Sequence, residues 1–119
     1  MNLRPLRMLL LIAALSLSTL FTLGCGTSHT RVRLANMTPD ESSLDLLVDG
    51  RKAASANFGT ASSYVSVNSG TQHIQVEAFG TSNVLIDQSP SLSSGTDSTL
   101  FSLNFSSSIF PLLARFSQA

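Results

Sequence analysis

Apolar and polar residues alternate along several short segments of the chain, most regularly between residues 72 and 79. The apolar members of that segment are Ile74, Val76 and Ala78, and the polar members are His73, Gln75 and Glu77. Successive side chains of a β-strand point to opposite faces of a sheet, so this spacing predicts a half-buried strand. We expect the apolar set in the core and the polar set in solvent, an arrangement that a one-residue slip would invert.

Six further segments have strand-like composition and are separated by turn residues. They are Thr30–Ala35, Leu44–Val48, Lys52–Phe58, Ser63–Val67, Val84–Gln88 and Thr99–Phe105. The dipeptide Asp49-Gly50 predicts a tight hairpin between the second and third of them, because it readily adopts positive φ angles. Short strands at intervals of about 8–12 residues, with no long helical period, predict an all-β fold. We expect an antiparallel β-sandwich of about seven short strands.

The first 24 residues have the organisation of a secretory signal peptide. Arg4 and Arg7 precede an uncharged run from Met8 to Leu23. A membrane-spanning helix needs roughly 20 predominantly apolar residues, and this run is shorter and diluted by serine and threonine. We therefore predict a signal peptide at residues 1–24 that is removed on export.

Cys25 is the only cysteine of the chain and directly follows the apolar run. The sequence Leu23-Gly24-Cys25 resembles the lipobox of bacterial lipoproteins, in which the cysteine thiol takes a diacylglyceryl group and becomes the new N-terminus. The resemblance implies lipidation at Cys25, palmitate incorporation and attachment to a membrane facing the periplasm or cell exterior. Gly26 in place of aspartate favours the outer membrane if the cell has two. The alternative is a free or buried cysteine beside an ordinary cleavage site.

The remaining chain divides into a short tether at residues 25–30, a β-sandwich domain at 31–105 and an apolar C-terminal segment at 106–119. The apolar residues of that last segment are Ile109, Phe110, Leu112, Leu113 and Phe116. We expect it to be either an edge strand bent at Pro111 or an exposed adhesive end that meets a partner or the lipid surface. The edge strand is favoured, because so small a domain needs its apolar residues for a core.

Several segments, in this order and spacing, resemble the envelope family known as domain of unknown function 4397, here in a single copy. They are Val32–Asn36, Thr38–Asp40, Leu44–Gly50, Phe58-Gly59, Tyr64–Val67, Ser69-Gly70 and His73–Val76. The resemblance implies an immunoglobulin-like or transthyretin-like sandwich outside the cytoplasm. It carries over no catalytic residue, because none is established for the family.

Charge and candidate chemistry exclude some functions. After residue 24, five basic residues stand against seven acidic ones, a net charge of −2, with no Trp and one Tyr. Nucleic-acid binding requires a positive surface and stacking rings, so we exclude it. Neither His29 nor His73 has a catalytic partner nearby in sequence, and no Gly-x-Ser-x-Gly motif is present, so no catalytic residue is predicted.

An acidic cluster formed by Asp40, Glu41, Asp45 and Asp49 is the one candidate for calcium. Its spacing matches no EF-hand loop. Asp40 follows a proline, Asp45 is expected on the outward face of a strand, and Asp49 belongs to the hairpin turn. We therefore predict no metal and no cofactor.

The sequence favours a noncatalytic binding or structural module of the cell envelope, held on a membrane through the lipid on Cys25. Its partner would be an envelope protein or a glycan. The alternative is an envelope hydrolase or carbohydrate-active enzyme whose carboxylate site is assembled from distant strands. An enzyme would have a concave pocket holding two carboxylates or a histidine–carboxylate pair.

Overall fold

The computed structural model describes residues 29–118, so the predictions of a signal peptide and of lipid on Cys25 lie outside the described residues. Within that range the chain forms ten β-strands and a 3₁₀-helix at Ser106–Ser108. The strands are β1 Thr30–Met37, β2 Ser43–Val48, β3 Arg51–Asn57, β4 Val65–Val67, β5 Gly70–Thr71, β6 Ile74–Ala78, β7 Val84–Gln88, β8 Ser91–Leu92, β9 Thr96–Leu103 and β10 Phe110–Ser117. No helix in residues 29–118 is long and apolar enough to cross a membrane.

The strands form two four-stranded sheets packed as a sandwich, which confirms the predicted all-β class. Sheet A has the order β10-β9-β1-β4, sheet B has the order β3-β2-β6-β7, and β5 and β8 form a small separate pair. One ladder differs from the antiparallel expectation, because β1 and β9 run parallel from Arg31 opposite Asp97 to Met37 opposite Leu103. A parallel pair cannot be joined by a tight turn. The connection from β1 to β9 is accordingly long and contains β4 and all the strands of sheet B.

The hydrophobic core lies between the inner faces of the two sheets. Sheet A contributes Val32, Leu34 and Leu100, and sheet B contributes Leu44, Leu46, Ala56, Ile74, Val76 and Ile86. The register predicted for residues 72–79 is confirmed, since Ile74 and Val76 are fully buried and His73 is exposed. Ala78 is half-buried near the end of its strand.

The predicted hairpin between β2 and β3 is confirmed by its backbone angles. Asp49 and Gly50 have φ values of 52° and 79°, the positive pair that a two-residue turn of the right twist requires. The last predicted strand, Thr99–Phe105, is shifted in the structure, where β9 starts at Thr96 and ends at Leu103. It ends there because Asn104 has φ 72°, a left-handed conformation that breaks the extended backbone.

The C-terminal segment forms β10, which pairs with β9 along its whole length and is an edge strand of sheet A. Leu113 and the preceding Ile109 pack against the core. Phe110, Leu112 and Phe116 point the other way and are about half exposed. The segment is therefore an edge strand with one side against the core and the other side open to solvent.

Candidate binding surfaces

A groove lies at the end of the sandwich where β1 terminates, and two phenylalanines form its walls. Strands β3 and β6 each run into a Phe-Gly pair, and Gly59 and Gly80 turn the chain with φ values of 80° and 71°. The N–H groups of Phe58 and Phe79 donate to the carbonyl oxygens of Ser42 and Ser43, at 3.1 and 3.3 Å. Because β2 lies between β3 and β6, the two phenylalanines are about 10 Å apart, twice the strand spacing.

This end groove has a volume of about 920 Å³ and combines aromatic walls with hydrogen-bonding groups. Its lining residues are Pro39, Asp40, Ser42, Ser43, Ser55, Asn57, Phe58 and Phe79. Phe58 and Phe79 are 49% and 57% exposed. Phe58-Gly59 is part of the family resemblance, but the groove was not predicted from the sequence. The sequence signal for the groove was the repeated Phe-Gly pair, which follows two segments that lie on either side of a third strand in the sheet.

Asp40 supplies a carboxylate at the rim of the end groove. Its side chain accepts hydrogen bonds from the hydroxyl and the N–H of Ser106, the latter at 2.8 Å. These bonds stabilise the ionised form and lower the pKa of Asp40. The contact also ties the β1–β2 loop to the connection between β9 and β10, so it has a structural role besides its charge.

Asp45 lies on the outward face of its strand, as predicted, but its carboxylate is buried there. Its side chain is only 7% exposed. It accepts hydrogen bonds from the Ser55 hydroxyl at 2.6 Å and the Gly80 N–H at 3.3 Å, and it lies 3.2 Å from Lys52 Nζ. Lys52 in turn lies over the ring of Phe79, 4.9 Å from its centre. Long neighbouring side chains and the β6–β7 turn cover this position, which strand alternation alone does not reveal.

The net effect on Asp45 is a lowered pKa. Burial acts in the opposite direction and is the largest single influence, but the bonds from Ser55, Gly80 and Lys52 together outweigh it. Asp45 is therefore an ionised carboxylate saturated by its own neighbours. That arrangement stabilises the outer face of sheet B and leaves little capacity for an external ligand.

The predicted acidic cluster is dispersed in the fold. Asp40 bonds Ser106, Asp45 bonds Ser55, and Asp49 accepts the backbone N–H of His73 at 3.2 Å. Within residues 29–118 no three His, Cys, Asp or Glu side chains come together as a metal site. The carboxylates of Asp40, Asp45 and Asp49 therefore each have a contact of their own within the fold.

His73 has a partner that the sequence did not indicate. Its Nε2 lies 2.6 Å from Oδ1 of Asp87, which comes from the neighbouring strand β7. Gln75 also donates to Asp87 at 3.3 Å. Both members of the pair are about half exposed on the open face of sheet B. His29 lies just before β1, where its carbonyl accepts a bond from Gln118 at 2.6 Å.

The outer face of sheet A carries a cationic corner formed by Arg31, Arg33 and Tyr64. The guanidinium carbons of Arg31 and Arg33 lie 4.9 and 4.5 Å from the centre of the tyrosine ring. Arg31 also binds Asp97 with two hydrogen bonds, at 2.7 and 2.5 Å. That bidentate contact, with a further bond from Gln118, lowers the pKa of Asp97.

Beside this corner lies the apolar stripe, which we define as Phe110, Leu112, Ala114 and Phe116. Alternation along β10 places these four side chains on one face of the sheet. They oppose Leu103, Phe101, Thr99 and Asp97 of β9, in that order. Three of the four are more than half exposed. Contiguous exposed apolar surface of this kind is typical of contact sites.

Asn36 and Thr38, both part of the family resemblance, are buried next to the end groove. The fully buried Asn36 amide donates to the carbonyl oxygens of Glu41 and Ala56 at 3.0 and 3.1 Å, and its oxygen accepts the Thr38 N–H at 3.0 Å. The Thr38 hydroxyl donates to Ser102 at 3.0 Å. These residues join sheet A to sheet B, so this part of the family resemblance specifies the fold.

Comparison with known families gives a match over the strands described above. No curated protein matches the chain. A family model described as a domain of unknown function matches residues 30–117, which includes β10 as well as the nine preceding strands. The match covers about three quarters of the sequence in a single copy, and the chain therefore belongs to the domain of unknown function 4397 family (DUF4397).

Proposed function

We propose that this protein is a noncatalytic binding module of the cell envelope, held on a membrane by lipid on Cys25. The observation that carries the proposal is the end groove, whose lining combines the exposed Phe58 and Phe79 with serine hydroxyl groups and the Asn57 amide. The groove lies beyond Met37, about 23 Å along β1 from Thr30. A ligand surface at that end stays accessible when the start of the domain is tethered.

The chemistry of the end groove favours a glycan as the ligand. Sugar rings present flat apolar faces that stack on aromatic side chains, and their hydroxyl groups need hydrogen-bonding partners. Phe58 and Phe79 offer the first, and Asp40, Ser42 and Asn57 offer the second. The spacing of about 10 Å between the two phenylalanines suits an extended ligand better than a small compact one.

The groove is tested by sedimentation with insoluble cell-wall glycan. The double variant Phe58→Ser, Phe79→Ser should lose most of the binding, whereas Val84→Ser, which removes an exposed apolar side chain elsewhere on sheet B, should retain it. Both proteins should keep a β-type circular dichroism spectrum. Equal sedimentation of the double variant and the wild type would show that the groove is not the glycan site.

The anchor is tested separately with labelled palmitate. Cys25→Ser should abolish incorporation of the label and release the protein from the membrane fraction or leave it unprocessed. The sequence Leu23-Gly24-Cys25 after an uncharged run supports this prediction. Label still entering the variant would disprove lipidation at Cys25.

The rival function is a hydrolase or carbohydrate-active enzyme, and the His73–Asp87 pair is the specific observation in its favour. A histidine oriented by a carboxylate is a general base in many hydrolases. We expect no release of reducing ends when the protein is incubated with cell-wall glycan. Release by the wild type that disappears in His73→Ala would establish the enzyme and overturn the noncatalytic proposal.

A further inference from the structure

The start of the described chain is fixed to the end of β10. The Gln118 side chain donates to the His29 carbonyl at 2.6 Å and to Asp97 Oδ1 at 2.9 Å. Cys25 is four residues before His29, and four extended residues span at most about 14 Å. A lipid on Cys25 would therefore hold this end of sheet A within that distance of the membrane surface.

The face of sheet A at that end has the composition of a membrane-contacting surface. Phe116, the nearest member of the apolar stripe, is opposite Asp97, which is in turn opposite Arg31 near the start of β1. From Phe116 the stripe continues along β10 to Phe110, a span of about 20 Å. It therefore runs outward from the point where the tether enters the domain.

The charges beside the stripe complement an anionic lipid surface. Arg31 and Arg33 flank Tyr64 on the same face, and Asp97 is already bound by Arg31 and Gln118. Arginine side chains next to inserted aromatic and aliphatic groups can reach lipid headgroups while those groups enter the acyl boundary.

From these observations we infer that the apolar stripe of sheet A lies against the lipid surface, so that the domain rests on the membrane on this side. The inference builds on the proposed anchor at Cys25 and adds an orientation to it. In this orientation sheet B faces away from the membrane. The end groove, which is formed mainly by sheet B residues, stays open to the envelope space.

The chain contains no tryptophan, so a single introduced one reports on its own surroundings. We would reconstitute the lipidated protein into vesicles of brominated phosphatidylcholine and phosphatidylglycerol, using the variants Leu112→Trp and Val84→Trp. Both positions are exposed strand positions, one in the stripe and one in sheet B. The tryptophan at 112 should lose most of its fluorescence to the bromine atoms and shift to shorter wavelength, whereas that at 84 should do neither.

Each other outcome has a definite meaning. Equal quenching at both positions, or none at 112 in protein that floats with the vesicles, would overturn the orientation and leave the anchor intact. A blue shift at 112 without quenching would show that a protein, such as a second copy, covers the stripe instead of lipid.

If the wild type takes up no palmitate, the anchor fails and the stripe is tested alone. The Cys25→Ser, Leu112→Trp protein is then added to the same vesicles at low salt. Quenching is still expected, because the face is both apolar and cationic. Its absence would overturn the inference.

Discussion

The outer faces of the two sheets differ in polarity and in how far their side chains are bonded to one another. The outer face of sheet B is polar and bonded within itself, with Asp45 satisfied by Ser55, Gly80 and Lys52 and with Asp87 held by His73. The outer face of sheet A has a cationic corner and an apolar stripe whose phenyl and leucyl side chains contact solvent. The polar groups of sheet B are therefore bonded to one another, whereas sheet A leaves Phe110, Leu112 and Phe116 about half exposed.

The difference shows how one strand can serve two purposes. Leu113 contributes to the core and Leu112, its neighbour in sequence, is more than half exposed. An exposed leucine contributes little to stability, whereas a buried one contributes about 2–5 kcal/mol. Stability and surface chemistry can therefore be changed separately on β10, and this makes the comparison of the two faces open to experiment.

The largest expected effect comes from removing β10. Truncation after Ser107 removes Ile109 and Leu113 from the core and exposes the β9 edge along its whole length. We expect a loss of about 3 kcal/mol in the free energy of unfolding, which lowers the melting temperature by more than about 10 °C. Phe110→Ser, Phe116→Ser is the control that keeps the strand. An unchanged melting temperature after truncation would mean that β10 is not part of the folding unit.

A smaller effect is expected from Asp45→Ala on the outer face of sheet B. The substitution leaves the Ser55 hydroxyl and the Gly80 N–H without their acceptor, which should cost about 1–3 kcal/mol. Asp87→Ala removes another carboxylate from the same face, but an exposed one, and should cost less than about 0.5 kcal/mol. Urea denaturation of both variants gives the comparison. Similar losses would show that burial of Asp45 contributes nothing.

The features that could be predicted from the sequence are those that depend on residues close together in the chain. Alternation placed Ile74 and Val76 in the core, and Asp49-Gly50 specified its hairpin, because both follow from local backbone geometry. The parallel pairing of β1 with β9 was not predicted, because no local sequence pattern encodes a contact between strands 66 residues apart.

The same limit applies to the candidate sites. The Cys25 motif is contiguous, so a sequence reading can propose it. The end groove requires the order β3-β2-β6, which brings the Phe58 and Phe79 turns to one end of the sheet. The burial of Asp45 requires Lys52 and the β6–β7 turn to cover it, which the pattern of a single strand does not contain.

Acid should lower the free energy of unfolding, through a small number of carboxylates that are hydrogen-bonded in the fold. The pKa values of Asp40, Asp45 and Asp97 are all lowered by hydrogen bonds in the fold. A carboxyl with a lower pKa in the folded than in the unfolded state adds stability that is complete above about pH 4, the unfolded value, and disappears as pH falls through the folded value. Urea midpoints should therefore be level from pH 7 to 5 and decline below about pH 4.

Asp97→Asn separates the contribution of sheet A in that experiment. The variant lacks the ionised partner of Arg31, so its urea midpoint should fall less between pH 5 and pH 3 than that of the wild type. A midpoint that rises on acidification in the wild type would contradict the direction of all three pKa shifts.

The smallest effect on stability is expected from Leu112→Ala. Its side chain is 53% exposed on the outer face of sheet A, so the free energy of unfolding should change by less than about 0.5 kcal/mol. Leu113→Ala, one residue further along, removes a side chain packed against the core and should cost more than 1 kcal/mol, in the direction of buried leucine substitutions. Only Leu112→Ala should also weaken adhesion of the protein to anionic vesicles, because only Leu112 belongs to the apolar stripe. If Leu112→Ala destabilised the fold as much as Leu113→Ala, the stripe would be a structural surface, and the contrast between the two outer faces would have no functional meaning.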